Sequence, residues 1–137
     1  MAKATVESIF EKAGFIQQLG FELDSYSEGW CESVLPCIEA HHLQQDDFVH
    51  AGVIATMADH TSGASAYTVI EDHQIVLTVE YKVNLLRPAV GERLRCRAEV
   101  LRAGKNLIVS ESEVYALQGD EEKLVAKSMV TLAVVTP

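Results

Sequence analysis

The stretch FVHAGVIATMADHTSGASAYTVI, residues 48–70, is predicted to form the central element of the fold. Its small and aliphatic residues predict a helix of about 20 residues, roughly 30 Å long. Between Ala51 and Ile70 it carries a single residue that is charged at neutral pH, Asp59. A helix that is apolar on all sides needs cover on all sides, and an ionised carboxylate taken from water costs several kcal/mol unless it is paired. The presence of Asp59 in this helix therefore requires an explanation.

The segments before this helix predict its first neighbours. Apolar residues at helical spacing predict an amphipathic helix over residues 4–19, which Gly20 ends. Residues 21–36 alternate apolar and polar side chains around Ser27-Glu28-Gly29, which predicts a hairpin whose second strand stops near Pro36. Residues 37–49 have no clean period and predict a loop with at most one helical turn.

After the long helix the chain changes to the period of strands. Four strands are predicted, separated by turns at residues 88–91, 103–104 and 118–120, and the last three should form an antiparallel meander. We expect an α+β fold, with a sheet of five or six strands curling around one long central helix and an N-terminal helix beside it. The length of 137 residues allows one core, so residues 1–137 are expected to form a single domain.

Composition excludes several classes of function. The formal net charge of -9 opposes binding to nucleic acid or to anionic membranes, and an anionic ligand would need a local basic cluster. Cys31, Cys37 and Cys96 are odd in number and lack metal-ligand spacing, so we expect reduced thiols. The N-terminal segment has no apolar signal core and no transit-peptide composition, which predicts a cytoplasmic protein.

The residues at the start of the long helix give Asp59 a chemical context. His50-Ala51-Gly52 lies there, and Asp59 follows His50 by nine residues. Free backbone amides at a helix start bind an oxyanion or a polarised carbonyl. Asp59 is then either a structural carboxylate that is hydrogen-bonded in a wet crevice, or a base or nucleophile in an apolar cleft. The second interpretation predicts acyl transfer to water.

The pattern resembles a known enzyme family. His50-x-Gly52 with Asp59 in a long helix, followed by LTVEYKVNLLRPAVGERLRCRAEVLRAGKNLIVSESEVY, is similar to the hotdog-fold acyl-CoA thioesterases of the PaaI and YdiI type. The similarity covers roughly residues 15 to 135. It implies the hotdog fold, in which a curved antiparallel sheet wraps around the central helix, and hydrolysis of an acyl-CoA thioester to the free acid and coenzyme A.

The resemblance also implies roles for individual residues. Asp59 matches the nucleophile or general base, and Ala51 matches the residue whose backbone N–H polarises the thioester carbonyl. Gln44 matches the amide that orients the thioester or the water, and Thr78 matches the hydroxyl that places the attacking water. His50 either contacts the substrate or caps the helix. The site would lie at a dimer interface, with Asp59 facing the other subunit's helix start, and two such dimers would form a tetramer.

Further substrate contacts follow from the same resemblance and from charge. The Gly52 amide is expected to act beside that of Ala51, which stands where the family usually has the first of two glycines. Coenzyme A phosphates would meet Arg87, Arg102 and Lys105, which lie at predicted strand ends and turns. No cofactor or metal is expected, because the histidines fit no ligand motif.

Two other functions remain open at this point. A hotdog hydratase or dehydratase would use His50 and Asp59 as an acid–base pair on a 3-hydroxyacyl or enoyl thioester. A non-catalytic acyl-CoA binding domain would keep the fold without the reaction. Phe48, Val49, Met57 and Tyr67 are candidates for the lining of an acyl pocket, or are plain core. His60 and His73 are expected to be structural or exposed.

Overall fold

A computed structural model describes residues 5–137. Two short helices, two strands, a 3₁₀ turn, a long helix and four strands follow one another along the chain. Their bounds are α1 Val6–Glu11, α2 Gly14–Leu19, β1 Glu22–Ser27, β2 Trp30–Leu35, the 3₁₀ turn Ala40–His42, α3 Ala51–Tyr67, β3 Ile75–Leu85, β4 Arg93–Ala103, β5 Leu107–Gln118 and β6 Glu121–Val135. Among these helices, none has the length and apolar character that crossing a bilayer requires.

The strands form one antiparallel sheet of six strands in the order β1-β2-β4-β5-β6-β3. The hairpin of β1 and β2 and the meander of β4, β5 and β6 confirm the sequence predictions. Gly29, in the hairpin turn, has a φ of 88°, a conformation that favours glycine. The strand β3 follows α3 in sequence but pairs with β6 alone, so it lies at one edge of the sheet. The sheet packs on α3 and confirms the predicted α+β arrangement.

The N-terminal region differs from its prediction. The single helix predicted over residues 4–19 is wrong: α1 ends at Glu11, α2 begins at Gly14, and residue 4 lies outside the described residues. Ala13 is extended between them, and the Gln17 side chain donates a hydrogen bond of 2.8 Å to the Phe10 carbonyl. Glycine has a low helix propensity, so Gly14 would destabilise the interior of one continuous helix. The bend lets both Phe10 and Ile16 reach the core.

The long helix is α3, of 17 residues and about 26 Å. It is shorter than predicted because His50 caps its start and Thr68 ends it. The sheet buries one side of α3, where hydroxyl pairs such as Ser33–Thr61 at 2.7 Å and Ser65–Ser110 at 2.8 Å link helix and sheet. The sheet thus provides most, but not all, of the cover that an apolar helix needs. A stripe on the other side stays partly exposed, and it consists of Gly52, Ala55, Thr56, Asp59 and Gly63.

Candidate functional site

Asp59 lies in the partly exposed stripe of α3 and faces the edge strand β3. The hydroxyl Oγ1 of Thr78 donates a hydrogen bond of 2.7 Å to Asp59 Oδ1. A β-bulge interrupts the pairing of β3 with β6 between Thr78 and Glu80. Such bulges bend a strand and redirect its side chains. Asp59 therefore has a hydroxyl partner and access to solvent.

Two clefts meet at Asp59 and its neighbour His60. The first has a volume of about 200 Å³ and is mostly apolar beyond Asp59, His60 and Thr78, with walls from Ile9, Gly63, Tyr67, Val76 and Leu132. The second has a volume of about 390 Å³, and its other walls are Ala13, Phe15, Ile16, Ala55, Thr56 and Tyr81. Helix α1 contributes to the first cleft and α2 to the second. The carboxylate thus lies at the junction of two largely apolar recesses, as an acyl-transfer site requires.

His60 is a residue of this site that the sequence reasoning missed. Its ring meets Phe10 edge to face at a centroid distance of 4.7 Å, which agrees with the expected structural role, but it also lines both clefts beside Asp59. Burial lowers the pKa of His60, although the Ile9 backbone and Asp59 oppose this. The imidazole is therefore neutral at neutral pH. Its position next to Asp59 in the sequence was the available signal.

The helix start shows which amides are available. His50 Nδ1 accepts a hydrogen bond of 2.8 Å from the Gly52 amide and so caps α3. In this conformation the Gly52 amide is already engaged by His50 and is not a free donor for a substrate carbonyl. The Ala51 amide has no acceptor within residues 5–137. Ala51 is the first residue of α3 and its φ is not positive, so alanine fits there as well as glycine.

Gln44 lies in the loop that leads to this helix start. Its Oε1 accepts hydrogen bonds from the amides of Asp46 and Phe48, the latter at 3.4 Å, and the backbone of Gln44 donates to the Phe48 carbonyl at 2.8 Å. Asp47 turns the loop with a φ of 67°. The carbonyl oxygen of the Gln44 side chain is thus used within its own loop, and its NH₂ group is the part that can donate to a reactant.

Two parts of the expected site are far apart within one chain. Ala51 and Asp59 are separated by eight residues of one helix, a rise of about 12 Å. A reacting carbonyl must lie within roughly 3–3.5 Å of the attacking group and of its oxyanion donor at the same time. The Ala51 amide and the Asp59 carboxylate of one chain therefore cannot act on the same thioester.

The three basic residues that were expected to contact coenzyme A phosphates do not lie together. Arg87 lines a third cleft of about 360 Å³ together with Ala51, just beyond the end of β3. Arg102 is the second-last residue of β4 and Lys105 lies in the β4–β5 turn, at the end of the sheet where β3 begins. β3 has 11 residues, so the two ends lie about 35 Å apart. One chain does not bring the three cations into one cluster.

Of the candidates for an acyl pocket, Tyr67 alone lines a cleft at Asp59. Met57 is fully buried in the core. Val49 is buried and lines the cleft beside Arg87, and Phe48 is exposed. The walls nearest to Asp59 come instead from α1, α2 and the sheet, which the spacing of residues in α3 could not reveal.

Comparison with known proteins gives one family. Residues 47–123 match the model of the thioesterase superfamily. A thioesterase family protein from Silicibacter pomeroyi superposes with a TM-score of 0.93 at 36% identity, over 96% of each chain. A protein from Bacillus halodurans solved with CoA gives a TM-score of 0.76 at 28% identity, over 89% of this chain and 77% of that one. The 1,4-dihydroxy-2-naphthoyl-CoA hydrolase of Listeria monocytogenes is 29% identical over 88% of this chain and 95% of its own.

The matched segment runs from the loop before His50 through α3 and β3 to the start of β6, so it contains Asp59, Thr78 and Ala51 together. The superposition over nearly the whole length confirms the six-stranded sheet around a central helix as the hotdog fold. A carboxylate at the junction of two apolar clefts agrees with the activity that names this family. The chain belongs to the thioesterase superfamily, and it is a hotdog-fold enzyme that hydrolyses thioesters.

Proposed function

We propose that this enzyme hydrolyses acyl-CoA thioesters in a site that two copies of the chain build together. The observation that carries the proposal is the pairing of Asp59 with Thr78 at the junction of two apolar clefts, about 12 Å from the unpaired Ala51 amide of the same helix. Asp59 supplies the base or nucleophile, and the Ala51 amide of a second copy polarises the carbonyl.

Two routes fit this geometry. As a general base, Asp59 takes a proton from a water molecule while the water oxygen attacks the thioester carbonyl, and the C–S bond breaks to release the coenzyme A thiolate. As a nucleophile, an Asp59 oxygen attacks the carbonyl, the C–S bond breaks to release the coenzyme A thiolate and leave a mixed anhydride, and water then hydrolyses the anhydride to the free acid and regenerates Asp59. In both routes the Thr78 hydroxyl donates to Asp59, so its oxygen lone pairs are free to accept a hydrogen bond from the water. Gln44 orients the same reactants through its NH₂ group.

The edge strand β3 supports a dimer of this kind. Its outer backbone groups are unpaired within residues 5–137, and Leu77, Val79 and Tyr81 are 55%, 59% and 51% exposed. An edge strand with exposed apolar side chains is a template for pairing with another strand. Antiparallel pairing of β3 from two copies around a twofold axis would set their α3 helices antiparallel. The start of one α3 then lies beside the Asp59 region of the other.

The coenzyme A part of the proposal draws on charge and on relatives. The Listeria relative is a hydrolase of a naphthoyl-CoA, and the Bacillus halodurans protein was solved with CoA. Arg87 shares its cleft with Ala51, so the proposed carbonyl-polarising amide and a cation for a phosphate lie together. A local positive charge is needed to bind an anionic phosphate, because the chain as a whole carries a formal net charge of -9.

Hydrolysis of short, medium, long and aromatic acyl-CoA substrates, followed by release of free thiol, tests this function. We expect Asp59→Asn to lower kcat by a factor on the order of 10²–10⁴ and to leave the fold intact. Asp120→Asn is the matched control, since Asp120 is exposed in the β5–β6 turn outside the three clefts. Near-normal turnover by the Asp59 variant would overturn the proposed mechanism. A change in enoyl absorbance without thiol release would favour a hydratase, and tight binding without either would favour a binding domain.

A further inference from the structure

His42 is a buried imidazole that the proposed chemistry does not use. It ends the 3₁₀ turn Ala40–His42 and is 1% exposed. It lies between the end of α2 and the loop that carries Gln44 towards the start of α3. Hydrogen bonds to its nitrogens stabilise a buried imidazole, so the partners of His42 show what it holds in place.

Both ring nitrogens of His42 have partners, and together they fix its tautomer. The Glu39 amide donates a hydrogen bond of 2.9 Å to Nδ1, so Nδ1 carries no proton. Nε2 lies 2.6 Å from the Leu19 carbonyl, which can only accept, so Nε2 carries the proton and donates it there. The ring is neutral and ties the 3₁₀ turn to the last residue of α2.

The backbone of His42 extends this link to the helix start. Its carbonyl accepts a hydrogen bond of 2.8 Å from the amide of His50, the capping residue of α3. The next residue, Leu43, pairs with Val49, and Gln44 follows it. The orientation of the His42 peptide therefore sets both ends of the loop that presents Gln44 and Ala51.

We propose that His42 is a positioning residue. It fixes the positions of Gln44 and the Ala51 amide relative to α2, the helix that lines the cleft at Asp59. This inference rests on the proposed function. Phe15 and Ile16 of α2 line the cleft at the Asp59 of the same chain, so one side chain connects the wall of that cleft to the Ala51 amide, which in the proposed dimer polarises the carbonyl in the other site. A displacement of about 1 Å in such a group can cost a hundredfold in rate.

Three variants separate the two hydrogen bonds of the ring. In His42→Asn the side-chain oxygen takes the place of Nδ1, so the 3₁₀ turn is kept and the link to Leu19 is lost. In His42→Gln the amide nitrogen takes the place of Nε2, so the link to Leu19 is kept. His42→Ala loses both. His41→Asn is the matched control, because His41 is the exposed neighbour in the same turn.

We expect kcat to fall at least about tenfold in His42→Ala and His42→Asn, KM to change less than about threefold, and His42→Gln to recover most of kcat. A purely structural role would instead lower the fraction of folded enzyme and leave kcat per folded molecule unchanged. His42→Asn with kcat within twofold of wild type would overturn the inference. So would a folded His42→Gln no more active than His42→Ala.

A second measurement does not depend on activity. In the wild type, ¹⁵N chemical shifts of the His42 ring should show a neutral imidazole with its proton on Nε2, and the amides of His50 and Gly52 should exchange slowly. Exchange of these amides should become faster in His42→Asn and stay slow in His42→Gln. A proton on Nδ1, or equal exchange in both variants, would overturn the inference. If wild type hydrolyses no acyl-CoA while these NMR results hold, the proposed function fails and the link through His42 stands.

Discussion

Thr78 Oγ1 lies 2.7 Å from Asp59 Oδ1, so the edge strand β3 and the central helix α3 meet at a charge-assisted hydrogen bond. The carboxylate can only accept at neutral pH, so the direction of this bond is fixed. A bulge directly after Thr78 accompanies the contact. The contact joins the proposed base to the strand through which a second copy would pair.

Removal of the Thr78 hydroxyl should therefore impair chemistry more than folding. We expect Thr78→Val, which keeps the branched shape, to lower kcat at least about tenfold, because the water and the Asp59 oxygen lose a shared partner. Thr78→Ser keeps the hydroxyl and should stay within about threefold of wild type. Steady-state kinetics on the best acyl-CoA substrate measure both. Equal activity of the Val and Ser variants would contradict a role for the hydroxyl.

Mixed dimers should test the shared site directly. Ala51→Pro removes the amide that polarises the carbonyl, and proline is well tolerated at the first helical position. His50 before it has φ -60° and ψ 137°, a conformation that a following proline allows. We expect Ala51→Pro and Asp59→Asn each to be nearly inactive as homodimers. After unfolding together and refolding, half of the dimers would be mixed with one intact site each, giving roughly a quarter of wild-type activity.

The control for this experiment is the mixture of each variant with itself, which should remain inactive. A site built within one chain gives no recovery in any mixture. Sedimentation of the refolded samples shows whether dimers formed, so an absence of recovery in a sample of dimers would overturn the shared site.

The three cysteines should react very differently. Burial raises the pKa of the Cys31 thiol and of the Cys96 thiol to about 12, and Cys37 is exposed. The thiolate is the reactive form, so an aromatic disulfide reagent at about pH 8 should modify one thiol per chain in the native protein and all three after denaturation. Cys37→Ser should abolish the native reaction. Fast reaction of a second thiol in the folded protein would contradict the burial of Cys31 and Cys96. The Cys37 variant is also the better enzyme for free-thiol assays.

Stability should fall as the pH drops below the ordinary pKa of histidine, and His60 should account for part of the change. Burial lowers the pKa of His60 below 6.5, so between that lowered value and 6.5 the unfolded state binds a proton that the folded state does not. The free energy of unfolding then decreases as pH falls through this window and is unaffected by His60 above it. In His60→Gln the decrease should be smaller. Urea unfolding at several pH values measures the free energy of unfolding of both proteins. An equal decrease with falling pH in wild type and His60→Gln would contradict the role of His60.

Local pattern was sufficient for the hairpin, the central helix and the meander. The hairpin depends on the turn at Gly29 and on the alternation of apolar and polar side chains in the few residues on either side of it. The spacing of His50, Ala51 and Asp59 along α3 follows from helical geometry. The break at Ala13 escaped the same reasoning. The break lets both Phe10 and Ile16 reach the core, which a continuous helical period in residues 4–19 conceals.

The sequence alone was enough to predict a long helix that carries one carboxylate nine residues after a histidine at its start, because these features depend on residues close together in the chain. The tertiary structure alone places Thr78 at Asp59 and Arg87 far from Arg102. These relationships depend on strand register and on the placement of β3 at the edge. They are set by packing between residues distant in the chain, for which a single sequence carries no periodic signal.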